Sequence, residues 1–522
     1  MEESSLVKLD IKPNTYYDSV TLMIISKDLK KLDGVEEALV GMGTDLNREL
    51  AHNLGINSPE FETVTPNDFF VAVKCDSDEV MAAALAKVEE MLNKKKENSA
   101  MNYYPPTLSS ALKMDDQLNM AVISVPGKYA AEVAQSCLDK DINVMLFSDN
   151  VTIDEEKRLK ECAASKGLLM MGPDCGTAII NNVPLAFANV VKPGDIGIVG
   201  ASGTGTQEVS SLIDQFGGGC SQVLGTGGRD LKLEIGGIMM TLGLDALIND
   251  PMTKVITLIS KPPAEEIADK ILKQAAGAGK PVVVCFIGGD PAQVEKYGLT
   301  AACSLEDAAR KAVAFSKGEK PVDFTGFTAP EAEIDKLAAD EAAKFASTQK
   351  YIRGLYTGGT LCDESMKLLT KDLGGIHSNI PLSPEFKLAD VNKSVENTCL
   401  DYGDDDFTRG RPHPMIDPSL RAERVVAESL DPSTAVILAD CVIGYGSHPN
   451  PAEDLCDAIK KAKANAEKDG RYISAVVAVC GTEGDPQCLS KTQQQLREAG
   501  AIVMPSNAQA ARFSEKILAN IK

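Results

Sequence analysis

The sequence predicts an α/β protein with a small N-terminal domain followed by three parallel-sheet domains. Short apolar runs alternate with segments of helical period along the 522-residue chain, a pattern typical of β-α units in parallel sheets. At roughly 100–200 residues per domain, a chain of this length should hold about three or four domains. A glycine-rich turn between an apolar strand and an amphipathic helix, at Ile196–Glu208, also favours this class.

The composition excludes several kinds of protein. With 75 acidic and 53 basic residues the net charge is −22, which disfavours binding to nucleic acid and anionic lipid. The 13 cysteines include no C-x-x-C pair, so the sequence indicates neither a disulfide framework nor a zinc ribbon. We find no signal segment and no apolar stretch of about 18 residues, so we expect a cytoplasmic protein without a membrane partner.

The order of the predicted elements divides the chain into four domains and one linker. The first domain reads β-α-β-β-α, which indicates a ferredoxin-like or ACT-like fold. The next two alternate strand and helix, and an Ala/Glu/Lys-rich, helical linker precedes the last domain. The predicted boundaries are 1–95, 115–190 (Rossmann-like), 191–316, 317–349 (linker) and 350–522.

The turn after the strand at 196–200 is a candidate anion site. Its glycines let backbone N–H groups approach a ligand, and the helix that follows offers unpaired N–H groups and the positive end of its dipole. The turn lacks the G-K-[ST] ending of a nucleotide P-loop, and the dinucleotide pattern fails at Glu208. The candidate phosphate-binding residues are Ser202, Gly203, Thr204, Gly205 and Thr206.

A shorter turn of the same kind occurs at Gly354–Leu361, where another apolar strand opens into a helix. Its candidate phosphate-binding residues are Thr357, Gly358, Gly359 and Thr360. Two such turns in one chain predict that they share one anion, and phosphate or carboxylate is the ligand that such turns suit.

Four side chains are candidate catalytic donors. Arg229 lies in a Gly-Gly-Arg-Asp turn, Lys261 in Ser-Lys-Pro-Pro, and Arg411 and His413 in Arg-Gly-Arg-Pro-His-Pro. Arginine pairs bidentately with phosphate or carboxylate, and a histidine can act as acid or base near neutral pH. No phosphohistidine is predicted.

An acidic run in the last domain could hold a metal ion. Carboxylates are ligands that Mg²⁺ accepts at phosphate-handling sites, so Asp404, Asp405 and Asp406 are candidate Mg²⁺ ligands. Solvated acidic loops are common, and this alternative stays open. No other cofactor is predicted.

Several motifs resemble those of succinyl-CoA synthetase. Residues 171–176, 192–208 and 225–230 resemble turns and the phosphate-site loop of its α subunit, and 354–361 resembles the second phosphate-facing helix start, in its β subunit. The resemblance implies Rossmann-like and flavodoxin-like domains of succinyl-CoA synthetase type. They are a CoA-binding-like domain at 115–190, an α-subunit-like ligase domain at 191–316 and a ligase domain like the C-terminal part of the β subunit at 350–522. It also implies a phosphohistidine after the strand at 282–286, but no histidine lies between His52 and His377. A CoA-binding glycine turn and a nucleotide-binding half are missing as well.

One family joins these two halves behind a ferredoxin-like domain, and the sequence resembles it over nearly the whole chain. The shared motifs are at 122–127, 147–152, 260–264, 410–418 and 481–488. This is the FdrA family. Membership implies a catalytic component of oxamate carbamoyltransferase in anaerobic allantoin and purine degradation, which converts oxalurate and phosphate to oxamate and carbamoyl phosphate with two further subunits, in an oligomer.

Two other functions remain open at this point. One is a nucleotide-dependent acyl-CoA synthetase, which the missing histidine and the missing CoA turn disfavour. The other is a regulatory or scaffold subunit, because ACT-like domains often bind effectors or mediate dimers.

Overall fold

The computed structural model describes residues 6–13, 15–17, 19–99, 105–409 and 411–521. The chain forms two compact units. The first comprises residues 1–116 with 407–412, and the second comprises residues 117–406 with 413–522.

The first unit contains a three-stranded antiparallel sheet in the order β1-β3-β2. The central strand β3 is buried on both faces, because Phe69 and Val71 pack against α1 and α3 while Phe70 packs against Ile56 and Val64 on the other face. The elements are β1 (Leu6–Lys12), α1 (Ser19–Leu29), β2 (Val35–Met42), α2 (Asp45–Asn53), β3 (Phe69–Cys75), α3 (Asp78–Ser99) and α4 (Leu108–Met114). This order agrees with the predicted small N-terminal domain, to which the structure adds α2.

The second unit begins with a three-stranded parallel sheet in the order β4-β5-β6. Alternating apolar strands and amphipathic helices form it, as the periodicity predicts. Its elements are β4 (Met120–Ile123), α5 (Gly127–Leu138), β5 (Asn143–Leu146), α6 (Ile153–Ser165) and β6 (Met170–Met171).

A seven-stranded sheet follows, in the order β13-β12-β11-β9-β10-β7-β8. The strands β13 to β10 in this order are parallel, and β7 and β8 are added antiparallel. The elements are β7 (Thr177–Ile180), β8 (Val183–Ala186), β9 (Pro193–Gly200), α7 (Gly203–Gln215), β10 (Cys220–Gly225), α8 (Ile238–Asn249), β11 (Val255–Ser260), α9 (Glu265–Ala276), β12 (Val282–Phe286), α10 (Pro291–Glu295), β13 (Thr300–Ala301) and α11 (Leu305–Ser316). The boundary predicted at residue 190 therefore falls inside this sheet.

The linker helix α12 (Glu331–Ala342) leads to a five-stranded parallel sheet in the order β15-β14-β16-β17-β18. Its elements are β14 (Tyr351–Tyr356), α13 (Gly359–Leu373), β15 (Thr398–Asp401), α14 (Asp405–Thr408), α15 (Ser419–Glu428), β16 (Thr434–Val442), α16 (Pro451–Lys468), β17 (Ser474–Cys480), α17 (Leu489–Glu498), β18 (Ile502–Met504) and α18 (Asn507–Ala519). The predicted α/β fold class, with sheets of parallel strands behind a small domain, is confirmed.

The strand order places both glycine turns at switch points. Strand β9 lies between β10 and β11, so the loops after β9 and β11 leave the sheet toward opposite faces. Strand β14 lies in the same way between β15 and β16. In open parallel sheets, ligands bind at the carboxyl ends of strands where the order reverses.

Candidate functional site at two helix starts

The start of α7, residues Ser202–Thr206, is capped by its own first side chain. The Ser202 Oγ accepts the N–H of Gly205 at 3.1 Å, and its carbonyl accepts the Thr206 N–H at 3.2 Å. Gly203 is exposed, and a Cβ built on it would meet no atom within 4 Å. Ser202 therefore caps the α7 start, and Gly203, the first residue of the helix, is open to solvent.

The start of α13, residues Thr357–Thr360, is capped from a neighbouring strand. Asp440 in β16 accepts the N–H of Thr357 and the N–H of Gly358, both at 2.8 Å, and the Thr357 hydroxyl at 2.7 Å. Arg421 pairs with Asp440 at 2.6 Å, and both side chains are buried. A phosphate would have to displace Asp440 to reach the amides of Thr357 and Gly358, so the predicted phosphate contact at these two residues needs correction.

The two helix starts meet directly. The hydroxyls of Ser202 and Thr360 lie 2.7 Å apart. A Cβ built on Gly358 would come within 2.9 Å of the Thr204 side chain, and one on Gly205 within 2.9 Å of the Thr360 methyl group. The prediction that the two turns lie together agrees with this geometry.

Asp401, at the carboxyl end of β15, lies beside the α13 start. A Cβ on Gly359 would overlap its Oδ2, and the N–H of Gly403 donates to its Oδ1 at 2.8 Å. Burial raises the pKa of Asp401 to about 7, against the opposing effects of the Gly403 N–H and the Lys261 ammonium. Asp401 can therefore gain or lose a proton near neutral pH.

His413 lies close to the same point, but as a neutral ring. A Cβ on Gly403 would lie 2.7 Å from His413 Nε2 and 3.1 Å from Asp401 Oδ1. Burial lowers the pKa of His413 to about 4. Its Nδ1 accepts the Met415 N–H at 3.2 Å, so the hydrogen-bond pattern assigns the proton to Nε2. The prediction that His413 acts as acid or base near neutral pH needs correction, because burial keeps it uncharged there.

Lys261 lies at the switch point of the seven-stranded sheet, directly after β11. Its ammonium is 3.9 Å from Asp363 in the first turns of α13, and its charge acts on Asp401. The side chain is about half exposed. Of the four predicted donors, Lys261 and His413 are brought to the helix starts.

The other two predicted donors have other surroundings. Arg229 pairs with the buried Glu156 at 2.8 Å and donates to the Val151 carbonyl at 2.8 Å. The same carboxylate binds the fully buried Lys160 at 2.7 Å, which indicates a structural network around the Arg229 turn. Arg411 is exposed and belongs to the first unit.

The acidic run at 404–406 forms a local turn, in which Asp404 accepts the Asp406 N–H at 3.1 Å. Among the residues that the structure describes, no group of three or more Asp, Glu, His or Cys side chains is arranged to hold a metal ion. Mg²⁺ binding by Asp404, Asp405 and Asp406 would therefore need further oxygen ligands from a bound phosphate.

Sequence reasoning missed Asp401, Asp440, Arg421 and Asp363. A signal existed for Asp440, because it comes directly after the apolar run 435–439, and polar residues near the carboxyl ends of parallel strands meet at a switch point. Asp401 is the last residue of β15, a four-residue strand that is too short for periodicity to reveal.

Three family models match the chain. The first, described as AllF, heavy metal-associated domain, covers residues 3–104. The second, described as CoA binding domain, covers 191–289, and the third, CoA-ligase, covers 355–517. The resemblance implies a CoA-binding-like domain at 115–190, whereas the CoA-binding match lies over β9 to β12 of the seven-stranded sheet.

The name of the first family model implies a metal, which the residues present do not fit. Residues 3–104 contain one cysteine, Cys75, and one histidine, His52. The Cys75 thiol is buried in β3 and donates to the Ser77 carbonyl. Soft heavy metals prefer paired thiolates, and a single buried thiol that already donates to a carbonyl does not provide such a site.

Subunits of CoA ligases match about a third of the chain. The α2 subunit of succinate–CoA ligase from Archaeoglobus fulgidus is 28% identical over 32% of this chain and 57% of that subunit. The sulfoacetate–CoA ligase subunit SqwL from an Acholeplasma species is 26% identical over 35% of this chain and 62% of that subunit. The apo acetyl-coenzyme A synthetase 1 of Ca. Korarchaeum cryptofilum aligns over 80% of this chain and 85% of its own with 18% identity and a TM-score of 0.33. At that TM-score the fold assignment rests on the sheets themselves.

The family matches and the three sheets of mainly parallel strands define a succinyl-CoA synthetase-like protein, with CoA-binding and CoA-ligase regions behind an AllF-type N-terminal domain. YahF of Escherichia coli, described as an uncharacterized protein, is 47% identical over 513 residues, which is 98% of each chain. The chain belongs to the family of YahF, in agreement with the FdrA-like resemblance. Within the described ranges, the helices are all too short or too polar to cross a membrane.

Proposed function

We propose that the protein transfers an acyl-type group to or from phosphate, with the phosphate bound where the starts of α7 and α13 meet. The observation that carries this proposal is the contact between the Ser202 and Thr360 hydroxyls, which brings two helix N-termini to one point. Helix N-termini attract anions through their unpaired N–H groups and dipoles. Each of the two starts also follows a strand at a switch point.

The two helix starts need help from side chains. One start contributes about 0.3–1 kcal/mol toward an anion, and up to ~2 kcal/mol when it is partly buried. Enzymes typically lower a barrier by at least ~8 kcal/mol. Lys261 supplies a positive charge near Asp401 and α13, and His413 supplies an Nε2–H donor beside Gly403. Both suit the charge that develops on oxygen during transfer.

The carbamoyl form of this reaction is phosphorolysis of oxalurate to oxamate and carbamoyl phosphate. It requires no phosphorylated histidine, and the state of His413 supports such direct transfer. Since its Nδ1 accepts a hydrogen bond, the Nε2 that points toward Gly403 carries the proton and has no free lone pair for attack. The family models do not name this activity, and it rests on the FdrA-like resemblance and the AllF-type domain.

A transfer assay tests the carbamoyl form. The chain and the two further subunits that the resemblance implies are incubated with oxamate and carbamoyl phosphate, and we expect oxalurate to form. A chain with both Ser202→Ala and Thr360→Val serves as the matched loss-of-contact variant and should be slower. If the wild-type mixture yields no oxalurate above the rate without protein, the carbamoyl form is wrong.

The second candidate is an acyl-CoA ligase, and the comparisons favour it over the carbamoyl form. The CoA-binding and CoA-ligase models match 191–289 and 355–517, and the matching relatives include succinate–CoA and sulfoacetate–CoA ligase subunits. The candidate predicts saturable CoA binding in calorimetry and an acid-labile phosphoryl label from a nucleoside triphosphate. His413→Ala should remove that label if His413 is the carrier. Absence of both CoA binding and label would eliminate it.

A further inference from the structure

Two carboxylates lie beside the α13 start, and their surroundings differ. Asp440 accepts three hydrogen bonds from Thr357 and Gly358 and pairs with the buried Arg421 at 2.6 Å. Asp401 instead directs Oδ2 toward Gly359, with Oδ1 held by the Gly403 N–H at 2.8 Å. Asp440 is thus built into the cap, whereas Asp401 faces the helix start itself.

The backbone of Asp401 is held on both sides. Asn379 donates its side-chain N–H to the Asp401 carbonyl at 3.0 Å, and its side-chain oxygen accepts the Asp401 N–H at 3.0 Å. Strand pairing places Asp401 opposite Tyr356, one residue before the α13 start. A carboxylate positioned in this way needs little reorganisation when a phosphate arrives.

We infer that Asp401 relays the proton during group transfer at the two helix starts, an inference that rests on the proposed function. In the phosphorolysis of oxalurate, a phosphate oxygen forms a bond to the carbamoyl carbon and the bond from that carbon to nitrogen breaks. The phosphate loses a proton as it attacks, and the leaving oxamate nitrogen gains one. Asp401 accepts the first proton and donates it to the nitrogen, so its carboxylate is restored and no other reactant is needed.

The groups around Asp401 suit this role. Its pKa, raised by burial to about 7, lies near the operating pH, which favours transfer in both directions. His413 cannot replace it, because burial holds the histidine pKa at about 4 and Nε2 already carries a proton. The charged or titratable groups around Asp401 are Lys261 after β11, Cys362 in α13, Asp404 on the following loop, Asp440 in β16 and His413 beyond Gly403.

The test measures oxalurate formation from carbamoyl phosphate and oxamate, with the partner subunits present, from about pH 5.5 to 8.5 on either side of the Asp401 pKa. This direction avoids free phosphate as a substrate, whose own ionisation would overlap. The carboxylate form is required, so wild-type kcat should fall as the pH decreases through about 7. Asp401→Asn keeps the oxygen that accepts the Gly403 N–H, and it should lower kcat by about 10²–10⁴-fold and abolish this pH dependence.

Asp469→Asn is the control, because this carboxylate is exposed at the end of α16 and pairs with Arg471. Its kcat and pH profile should match those of the wild type. If the Asp401→Asn chain is active with an unchanged pH profile, the inference is wrong and the proposed function stands. If the wild type forms oxalurate without loss of rate at acidic pH, the inference is wrong even where the variant fails to fold. If the wild type forms no oxalurate, the carbamoyl function and the inference fail together.

Discussion

The two helix starts share a sequence pattern but are capped in different ways. The α7 start is capped by Ser202 from within, and Gly203 at its first position is open to solvent. The α13 start begins at a glycine without a side-chain cap, and Asp440 from β16 takes the hydrogen bonds of its first amides. A glycine turn before a helix therefore indicates that an anion can bind. Whether the protein provides this anion as a carboxylate, as Asp440 does at α13, depends on the residues of the neighbouring strand.

The difference also separates two roles. The α7 start offers amides to a ligand, while at the α13 start Asp440 already accepts the amides of Thr357 and Gly358, and Asp401 lies beside Gly359. One helix start is thus suited to hold phosphate and the other to place a proton-transfer group against it. Three substitutions break or sharpen this comparison.

Removing the Asp440 carboxylate should have the largest effect on the free energy of unfolding. Asp440→Ala leaves Arg421 buried without its partner and two amides at the α13 start without an acceptor. Loss of one partner from a buried pair costs about 3–5 kcal/mol. We expect denaturant unfolding to show a loss of that size. Asp469→Ala removes the acid of an Arg–Asp pair whose acidic side chain is 63% exposed, and should cost under ~1 kcal/mol. Equal losses in the two variants would contradict the distinction.

The next largest difference should come from adding one methyl group at each helix start and comparing the stability of the two variants. Gly359→Ala would overlap the Asp401 carboxylate, so either the start of α13 or Asp401 must shift. Overpacking of this kind typically costs about 1–3 kcal/mol of stability. We also expect transfer activity to fall, because Asp401 is displaced. Gly203→Ala places its methyl group in open space and should be neutral or stabilise by up to ~1 kcal/mol. Thermal unfolding of both variants measures the contrast, and a Gly203→Ala chain less stable than Gly359→Ala would refute it.

Removing the serine cap should have the smallest effect. Ser202→Ala removes the acceptor of the Gly205 N–H and the contact with Thr360. Loss of an N-cap typically costs about 1 kcal/mol. We expect a small decrease in thermal stability and a larger decrease in phosphate affinity by calorimetry, because the hydrogen bond that joins the two starts is lost. Ser304→Ala, at the cap of α11, is the control for loss of a cap without that contact. Equal phosphate affinity in both variants would oppose a shared site.

The fold could largely be predicted because strands and helices in parallel sheets carry a strong apolar pattern. The strands at 255–260, 282–286 and 474–480 are fully buried apolar runs, and the sequence shows each of them. Pairing between strands is less visible. Strands β7 and β8 join the seven-stranded sheet because Val223 in β10 pairs with Ile179. These two residues are far apart in sequence, and no local pattern predicts their pairing.

The site could be predicted only in part, because sequence shows residue types and not their partners. The glycines in the segments 200–205 and 358–359 indicated both helix starts, and these starts lie in contact. The roles of single side chains depend on burial, which is why His413 is neutral where its residue type predicted titration. Arg229 is likewise engaged by Glu156, which lies more than 70 residues earlier in the chain.

Both halves of the site belong to one polypeptide, with the linker helix α12 between them packed against α18. In an assembly of separate subunits, the two helix starts would come together only after a bimolecular step that costs translational and rotational freedom. A covalent connection replaces that step with an intramolecular one of high effective concentration. Dilution should therefore leave the contact between Ser202 and Thr360 intact, even where it dissociates any partner subunit.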